Sequence, residues 1–181
     1  MRFLICLSCL LLAGCQQLYP YAETSPHYGV PEQSVLVLNQ PLRVAPGRLS
    51  VYLQDGQAYT SAPDRYQPYC KFELRHKRAT MQRVTPDRFR VRRATRHWTA
   101  SAPLPARPVA VGLPLIDEDG PSFLVYSSFF HLHSERQPEV LKMTCEYWGD
   151  PATGRFLSIA QIRRTLGEIF TLELNGPGVM L

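Results

Sequence analysis

Two histidines separated by one leucine are the first candidates for chemistry in this sequence. His131 and His133 flank Leu132, so a strand places both imidazoles on one face. Two imidazoles at that spacing can chelate one metal ion, and Glu135 offers a third ligand. Because no other part of the sequence completes a site with metal-like spacing, we favour the alternative that these are polar positions at the end of a strand.

Other arrangements typical of catalysis are absent from the sequence. It contains no Gly-x-Ser-x-Gly elbow, no Ser-x-x-Lys pair and no glycine-rich phosphate loop. The acidic residues Asp117, Glu118 and Asp119 lack the ligand spacing of a calcium loop, so they predict a plain turn. The sequence therefore indicates a protein that is not an enzyme and needs no cofactor.

The strongest charge feature is a basic run over residues 71–97, which holds ten of the chain's 20 Lys and Arg residues and two acids. Three of its arginines alternate with apolar residues, so a strand would present them as one solvent-facing stripe. Arginine binds carboxylates and phosphates bidentately, and such a stripe raises the local concentration of anions. The predicted anion-contacting residues are Arg88, Arg90, Arg92, Lys71 and Arg75. The alternative is a solvated face that protects a sheet edge from aggregation.

Alternation of apolar and polar residues predicts that strands position these side chains. Asp55-Gly56 is a strong hairpin-turn signal between two of them, and the proline-rich stretch 101–114 predicts an extended connection or an edge strand. The segments that read as strands are 35–38, 49–54, 70–75, 88–92, 123–132, 141–147 and 170–174. Many short strands with turns between them predict a mainly β fold, either an antiparallel β-sandwich or a partly open barrel.

One C-terminal α-helix is predicted at about 158–167. Ser158 and Gln161 have the spacing of a capping box, and Gly167 is placed to end the helix in the left-handed conformation. The apolar face of this helix consists of Ile159, Ile162 and Leu166. We expect the helix to cover an open edge or end of the sheet.

The N-terminus carries the most specific motif. Arg2 precedes an apolar run from Phe3 to Leu12, which is too short to span a bilayer but typical of a secretory signal. The run closes on Leu12-Ala13-Gly14-Cys15, which resembles the lipobox of bacterial lipoproteins. That resemblance covers the first 15 residues. It implies a signal peptide over 1–14, cleavage before Cys15, and acylation of Cys15 by chains such as palmitate.

The resemblance also implies a location. Several acyl chains on one cysteine would hold a protein at a membrane, whereas a single chain binds only marginally. Gln16 is not the aspartate linked to inner-membrane retention, which favours the outer membrane with the protein facing the periplasm. The implied organisation is a signal peptide (1–14), a lipidated cysteine with a flexible tether (15–34) and a single β-rich periplasmic domain (35–181).

The lipobox changes the interpretation of the other cysteines. Cys6 and Cys9 would leave with the signal peptide, which leaves Cys70 and Cys145 in a compartment where disulfides persist. Each of these two lies on the apolar face of a predicted strand, so a disulfide between them is expected. The alternative is two separate buried thiols.

Three hypotheses for function follow. The leading one is a non-enzymatic outer-membrane lipoprotein that acts as an interaction or accessory subunit for an envelope protein, in envelope structure or assembly. The second is a binding module whose basic strand face engages an anionic envelope component: a lipid head group, lipopolysaccharide or the cell wall. The third is an envelope hydrolase or metalloprotein that uses His131 and His133. Nucleic acid is not an expected partner of an exported, lipid-anchored chain.

Overall fold

The computed structural model describes residues 23–101, 123–177 and 179–180, the last pair by backbone alone. The described residues form twelve β-strands and one α-helix. The strands are β1 Tyr28–Gly29, β2 Val35–Leu38, β3 Leu42–Val44, β4 Ser50–Gln54, β5 Gln57–Tyr59, β6 Tyr69–Leu74, β7 Gln82–Val84, β8 Asp87–Ala100, β9 Leu124–His133, β10 Val140–Gly149, β11 Phe170–Glu173 and β12 Val179–Met180; the helix is α1 Ile159–Leu166.

Several predictions fall on other parts of the chain. The lipobox with Cys15, nearly all of the proline-rich stretch 101–114 and the acidic turn 117–119 lie outside the described residues.

Eight strands form one antiparallel sheet in the order β11-β2-β8-β9-β10-β6-β4-β5. The sheet curls into a half-barrel, and α1 contacts β11 at one end of the order and β4 and β6 near the other. A flat sheet could not bring both ends to one helix, so α1 fills the concave side. The mainly β fold with a C-terminal helix is confirmed, in its partly open barrel form.

The core lies between α1 and the concave face of the sheet. Phe72 packs against Phe89 and Phe170, with ring centroids 5.8 and 5.3 Å apart, and all three are at most 2% exposed. From the helix, Ile159 and Ile162 complete this layer. The gap left between the helix and the sheet is about 10 Å³, which barely admits one water molecule. This gap therefore has no room for a ligand.

The helix and the hairpin turn are confirmed in detail. Ser158 Oγ accepts from Gln161 N–H and the Gln161 side chain accepts from Ser158 N–H, as a capping box requires. The turn Asp55-Gly56 has positive φ at both residues and donates Gly56 N–H to Thr165 O. Gly167 ends the helix at φ 55° but ψ −139°, which is not the left-handed helical conformation that was predicted. Position 167 requires glycine because of close packing: a Cβ atom there would lie 2.3 Å from Gly56 Cα.

The disulfide between Cys70 and Cys145 is present. The two residues face each other directly on β6 and β10, with their Cα atoms 4.0 Å apart, and both are fully buried. The pairing joins neighbouring strands near the middle of the sheet. A register shift between Val140 and Lys142 then makes Val140, rather than the predicted Leu141, the buried apolar residue at the start of β10.

Residues 23–34 are bound to the half-barrel, although the sequence predicted them as part of a flexible tether. Val30 is buried, and β1 pairs with β12. Arg96 donates hydrogen bonds to the carbonyl oxygens of Pro26 and Tyr28, and Glu23 forms an ion pair with Arg163. We call this segment the strap; its backbone contacts to distant side chains could not be read from local periodicity.

Candidate anion-binding groove

The arginine stripe predicted on β8 lies on the outer face of the half-barrel. Phe89 and Val91 point into the core, and Arg88 and Arg90 are exposed between them. The register with β9 then shifts, because Val91 pairs with Leu132 and Arg93 with His131, so that Arg92 is the extra residue of a β-bulge. This bulge leaves two successive arginines, Arg92 and Arg93, exposed to solvent.

An open groove of about 430 Å³ runs along this stripe. Strand β8 forms the floor of the groove. The end of β9 and the turn after it lie on one side, and Val35 of β2 lies on the other. The polar lining residues are Asp87, Arg88, Arg90, Arg92, His133, Ser134, Glu135 and Arg136. Arg90 lies in register between Val35 and His133, so it occupies the floor of the groove.

Arg88 is already paired within the protein. Its Nη1 and Nη2 atoms contact Glu173 Oε1 and Oε2 at 3.0 and 2.5 Å, across the intervening strand β2. This hydrogen bond raises the pKa of Arg88 and lowers the pKa of Glu173, so both groups stay ionised. The pair is exposed on both sides, and it fixes the position of the guanidinium more than it stabilises the fold.

Arg136 is paired with Asp87, whose side chain is 7% exposed. Asp87 Oδ1 accepts from Arg136 at 2.6 Å, and Oδ2 accepts from Ser134 Oγ at 2.6 Å and Gln137 Nε2 at 3.0 Å. Burial by itself would raise the pKa of Asp87, but the hydrogen bonds from Ser134, Gln137, Arg136 and the Arg88 backbone outweigh it and lower the pKa to about 2. Asp87 therefore holds the turn after β9 against the start of β8.

Arg90 and Arg92 are different, because neither forms an ion pair or a side-chain hydrogen bond within the described residues. Both are exposed, and their strand β8 is paired with β2 from Asp87 to Arg90 and with β9 from Arg90 to Ala100. Among the described residues that line the groove, Glu135 is the only acid besides the paired Asp87. Two uncompensated guanidinium groups on a rigid sheet are suited to an anion with several oxygen atoms, such as a phosphate or a carboxylate.

Lys71 and Arg75 do not join this groove. Strand β6, which carries Lys71, is separated from β8 by β10 and β9. Lys71 and Lys142 both contact Glu73, at 3.2 and 3.3 Å, so the two lysines share one carboxylate. Arg75 donates instead to the carbonyl oxygen of Pro138. The structure thus brings together three of the five predicted residues and adds Arg136, which no sequence pattern singled out.

The two histidines share the outer face of β9, as the spacing predicted, but cationic residues surround them. His131 lies opposite Arg93 and Lys142, and His133 lies opposite Arg90. Within the described ranges, no group of three or more His, Cys, Asp or Glu residues is arranged to hold a metal ion. Positive neighbours disfavour cation binding at both histidines, and of the two only His133 lines the groove.

Comparisons with protein-family models, with curated proteins and with solved structures found no match to this chain. In the part of the chain that the structure describes, no helix is both long and apolar enough to cross a membrane.

Proposed function

We propose that this protein is an outer-membrane lipoprotein that acts, without enzymatic activity, as an interaction subunit of the cell envelope. Its half-barrel binds an anionic envelope component in the groove lined by Arg88, Arg90 and Arg92. The lipobox resemblance at Cys15 supports the location, and the groove supports the binding.

The observation that carries this proposal is the contrast among the groove arginines. Arg88 and Arg136 are neutralised by Glu173 and Asp87, whereas Arg90 and Arg92 have no partner within the described residues. Desolvating an unpaired guanidinium is costly unless a ligand supplies hydrogen bonds, so such a pair favours carboxylate or phosphate ligands. The groove is open at the surface, and it can therefore accept a group on a large molecule such as a cell-wall polymer, a glycolipid or an acidic protein.

The test is a double reversal, Arg90→Glu with Arg92→Glu, in the full mature chain. Binding is measured separately to cell-wall fragments, to lipopolysaccharide and to phosphatidylglycerol vesicles. We expect affinity for the true ligand to fall about tenfold or more, because one charge-assisted hydrogen bond contributes about 1.5–3 kcal/mol. Binding of the unmodified chain should also weaken as salt is added.

A matched control is available on the β3–β7 ribbon. Arg43 and Arg83 are exposed and face each other across this ribbon, and neither belongs to the residues that line the groove. Reversing both changes the net charge by the same amount as the groove variant, and it should leave binding intact. If the control weakens binding as much as the groove variant does, general charge rather than the groove is responsible and the proposal is wrong.

The same experiment separates the ligand classes. Loss of binding to one of the three anionic probes identifies the binding-module function. If no probe binds the unmodified chain, but an envelope protein crosslinks to it in intact cells through the groove, the protein is an accessory subunit with an acidic protein partner. Crosslinking that does not depend on Arg90 and Arg92 would contradict both.

A further inference from the structure

Aromatic side chains gather at the end of the sheet opposite the arginine groove. On the outer face, the Tyr66 ring lies 5.2 Å from the Phe123 ring and 6.5 Å from the Trp148 ring. The guanidinium of Arg65 lies over the Trp148 ring, 4.7 Å from its centroid. Tyr66 is nevertheless 55% exposed. This packing fixes the orientation of a tyrosine whose ring is largely in solvent.

The concave face at the same end is also aromatic. Tyr126 stacks on Tyr147 at 6.0 Å and meets the edge of Phe156 at 5.5 Å. Trp98 is in register with Tyr126 and is 61% exposed, the highest value among the large apolar side chains of the described residues. We call this part of the molecule the aromatic end. Exposed tryptophan and tyrosine on a rigid framework are typical of surfaces that contact a partner or a membrane interface.

The chain enters the half-barrel at this end. The carbonyl oxygen of Glu23, the first described residue, accepts a hydrogen bond from Ala160 N–H in the first turn of α1. Three residues later, the strap is held by Arg96, whose guanidinium also lies over the Phe156 ring at 5.2 Å. From here the strap runs along β8 toward the groove, where Gln33 N–H reaches Val91 O. The backbone of Glu23 therefore lies beside the first turn of α1, while its carboxylate pairs with Arg163, which also donates to Leu172 O on β11.

The length of chain before Glu23 limits where an anchor can be. Cys15 precedes Glu23 by eight residues, which span at most about 28 Å when fully extended. Along β8, Arg90 in the groove precedes Trp98 at the aromatic end by eight residues, so the two lie about 26 Å apart. A membrane anchor at Cys15 thus reaches the aromatic end with length to spare, whereas reaching the groove would take most of the extended length of these eight residues.

We propose that the aromatic end docks on the surface of the phospholipid bilayer in which the acyl chains of Cys15 are embedded. This inference rests on the lipid anchor of the proposed function. Trp98 and Tyr66 would lie at the level of the head groups, where amphipathic rings are favoured. The anchor would supply a high effective concentration of the bilayer, so weak contacts suffice.

This orientation narrows the range of anions that the groove can bind. With the aromatic end on the bilayer, Arg90 and Arg92 face away from it at a distance of about 25 Å, which is beyond the screening length at physiological salt. Head groups of the same bilayer are then out of reach. The anion that the groove takes would come from the periplasmic side, as a carboxylate or phosphate of a cell-wall polymer or of another protein.

The experiment uses the acylated chain reconstituted into vesicles of phosphatidylethanolamine and phosphatidylglycerol. Trp98 and Trp148 are the two tryptophans of the sequence, and both lie at the aromatic end, so the unmodified protein carries its own probe. Lipids brominated near the head-group end of the acyl chain should quench the tryptophan emission of the anchored protein. A variant with Trp98→Phe, Trp148→Phe and Val35→Trp moves the probe to the groove and should show no quenching.

Hydrogen–deuterium exchange provides a measurement without added probes. Backbone amides at 64–66 and 97–100 should exchange more slowly in the vesicle-bound protein than in a soluble Cys15→Ser chain, and amides at 88–92 should not change. Unquenched tryptophans in the anchored protein, or equal protection of both ends, would overturn the docking.

Failure of the docking can be distinguished from failure of the groove. The Arg90→Glu, Arg92→Glu chain should keep its tryptophan quenching while it loses anion binding. If mass spectrometry finds the N-terminal cysteine without acyl chains, the anchor and the docking are both wrong. Groove binding measured in solution would be unaffected by that result.

Discussion

The two ends of β8 use the same residue type for opposite purposes. Arg90, before the bulge at Val91–Arg93, points to solvent on the outer face. Arg96, after the bulge, points to the concave face, where it donates to carbonyl oxygens of Pro26, Tyr28 and Leu157. Both have even numbers, so simple alternation would put them on the same side. The extra residue in the bulge reverses the parity of everything that follows.

The comparison shows how one strand can carry both exposed arginines that are available to a ligand and an arginine that holds the strap in place. At the arginine end, carboxylates hold some guanidinium groups and leave others available. At the aromatic end, Arg96 is half-buried, burial lowers its pKa, and it is satisfied by backbone carbonyls and an aromatic ring. An exposed arginine without an internal partner is available to a ligand, whereas the half-buried Arg96 holds the strap through its carbonyl oxygens.

Removal of the disulfide should have the largest effect, and it should affect both ends together. The Cys70–Cys145 bridge lies midway along neighbouring strands and closes a separation of 75 residues. The chain-entropy model gives about 4 kcal/mol of stabilisation for such a loop. We expect Cys70→Ala with Cys145→Ala to lower the free energy of unfolding by about that amount in urea titrations. If the tryptophan emission of the aromatic end changes at a lower urea concentration than the far-ultraviolet circular dichroism does, the protein does not unfold as a single cooperative unit.

Substitution of Arg96 should have the next largest effect, confined to the aromatic end. Arg96→Gln removes charge-assisted hydrogen bonds to three carbonyl oxygens, at a cost of about 2–3 kcal/mol. Arg90→Gln is the matched control on the same strand, and it should change stability by less than about 0.5 kcal/mol. Thermal or urea unfolding measures both. Equal losses would mean that the bulge does not separate the two roles.

Local pattern was sufficient to predict the regular parts of this fold. Apolar alternation located β4, β6, β10 and β11, continuous apolar runs located β2 and β9, and the capping box located α1. The inward faces of β6 and β10 also predicted the disulfide, because cysteines on apolar faces of strands are buried together.

The bulge in β8 could not be predicted, because one extra residue changes no local propensity. Arg96 was consequently counted with the basic run. Lys71 and Arg75 were grouped with the stripe because they are close in sequence, whereas β9 and β10 insert between β6 and β8 in the sheet. Which residues are neighbours in space depends on the order of the strands in the sheet, and that order depends on contacts between residues distant in sequence.

Acid should weaken the arginine end in a defined pH range. The pKa of Asp87 is lowered from its ordinary value of 3.8 to about 2 in the folded protein, so its ionised form stabilises the fold. That contribution is complete above about pH 4 and is lost as the pH falls toward 2. It amounts to on the order of 1–2 kcal/mol. We expect the difference in unfolding free energy between the unmodified chain and Asp87→Asn to shrink over this range.

Glu173 provides the control for this titration. It forms the equivalent pair with Arg88 but is exposed, so solvent screens the interaction. Glu173→Gln should therefore change the pH dependence much less than Asp87→Asn does. An Asp87→Asn difference that is constant from pH 5 to pH 2 would show that the carboxylate does not hold the turn through its charge.

The smallest predicted effect is at the helix start, next to the entry of the strap. Ser158 Oγ accepts the Gln161 amide, so Ser158→Ala leaves that donor without its cap and should cost about 1 kcal/mol. Because the first turn of α1 also donates Ala160 N–H to Glu23, the loss should increase amide exchange in the strap near Glu23. Amides of the groove, which lie at the other end of β8, should keep their protection. Unchanged stability would argue against the cap, and equal exchange at both ends would mean that the strap and the groove are one structural unit.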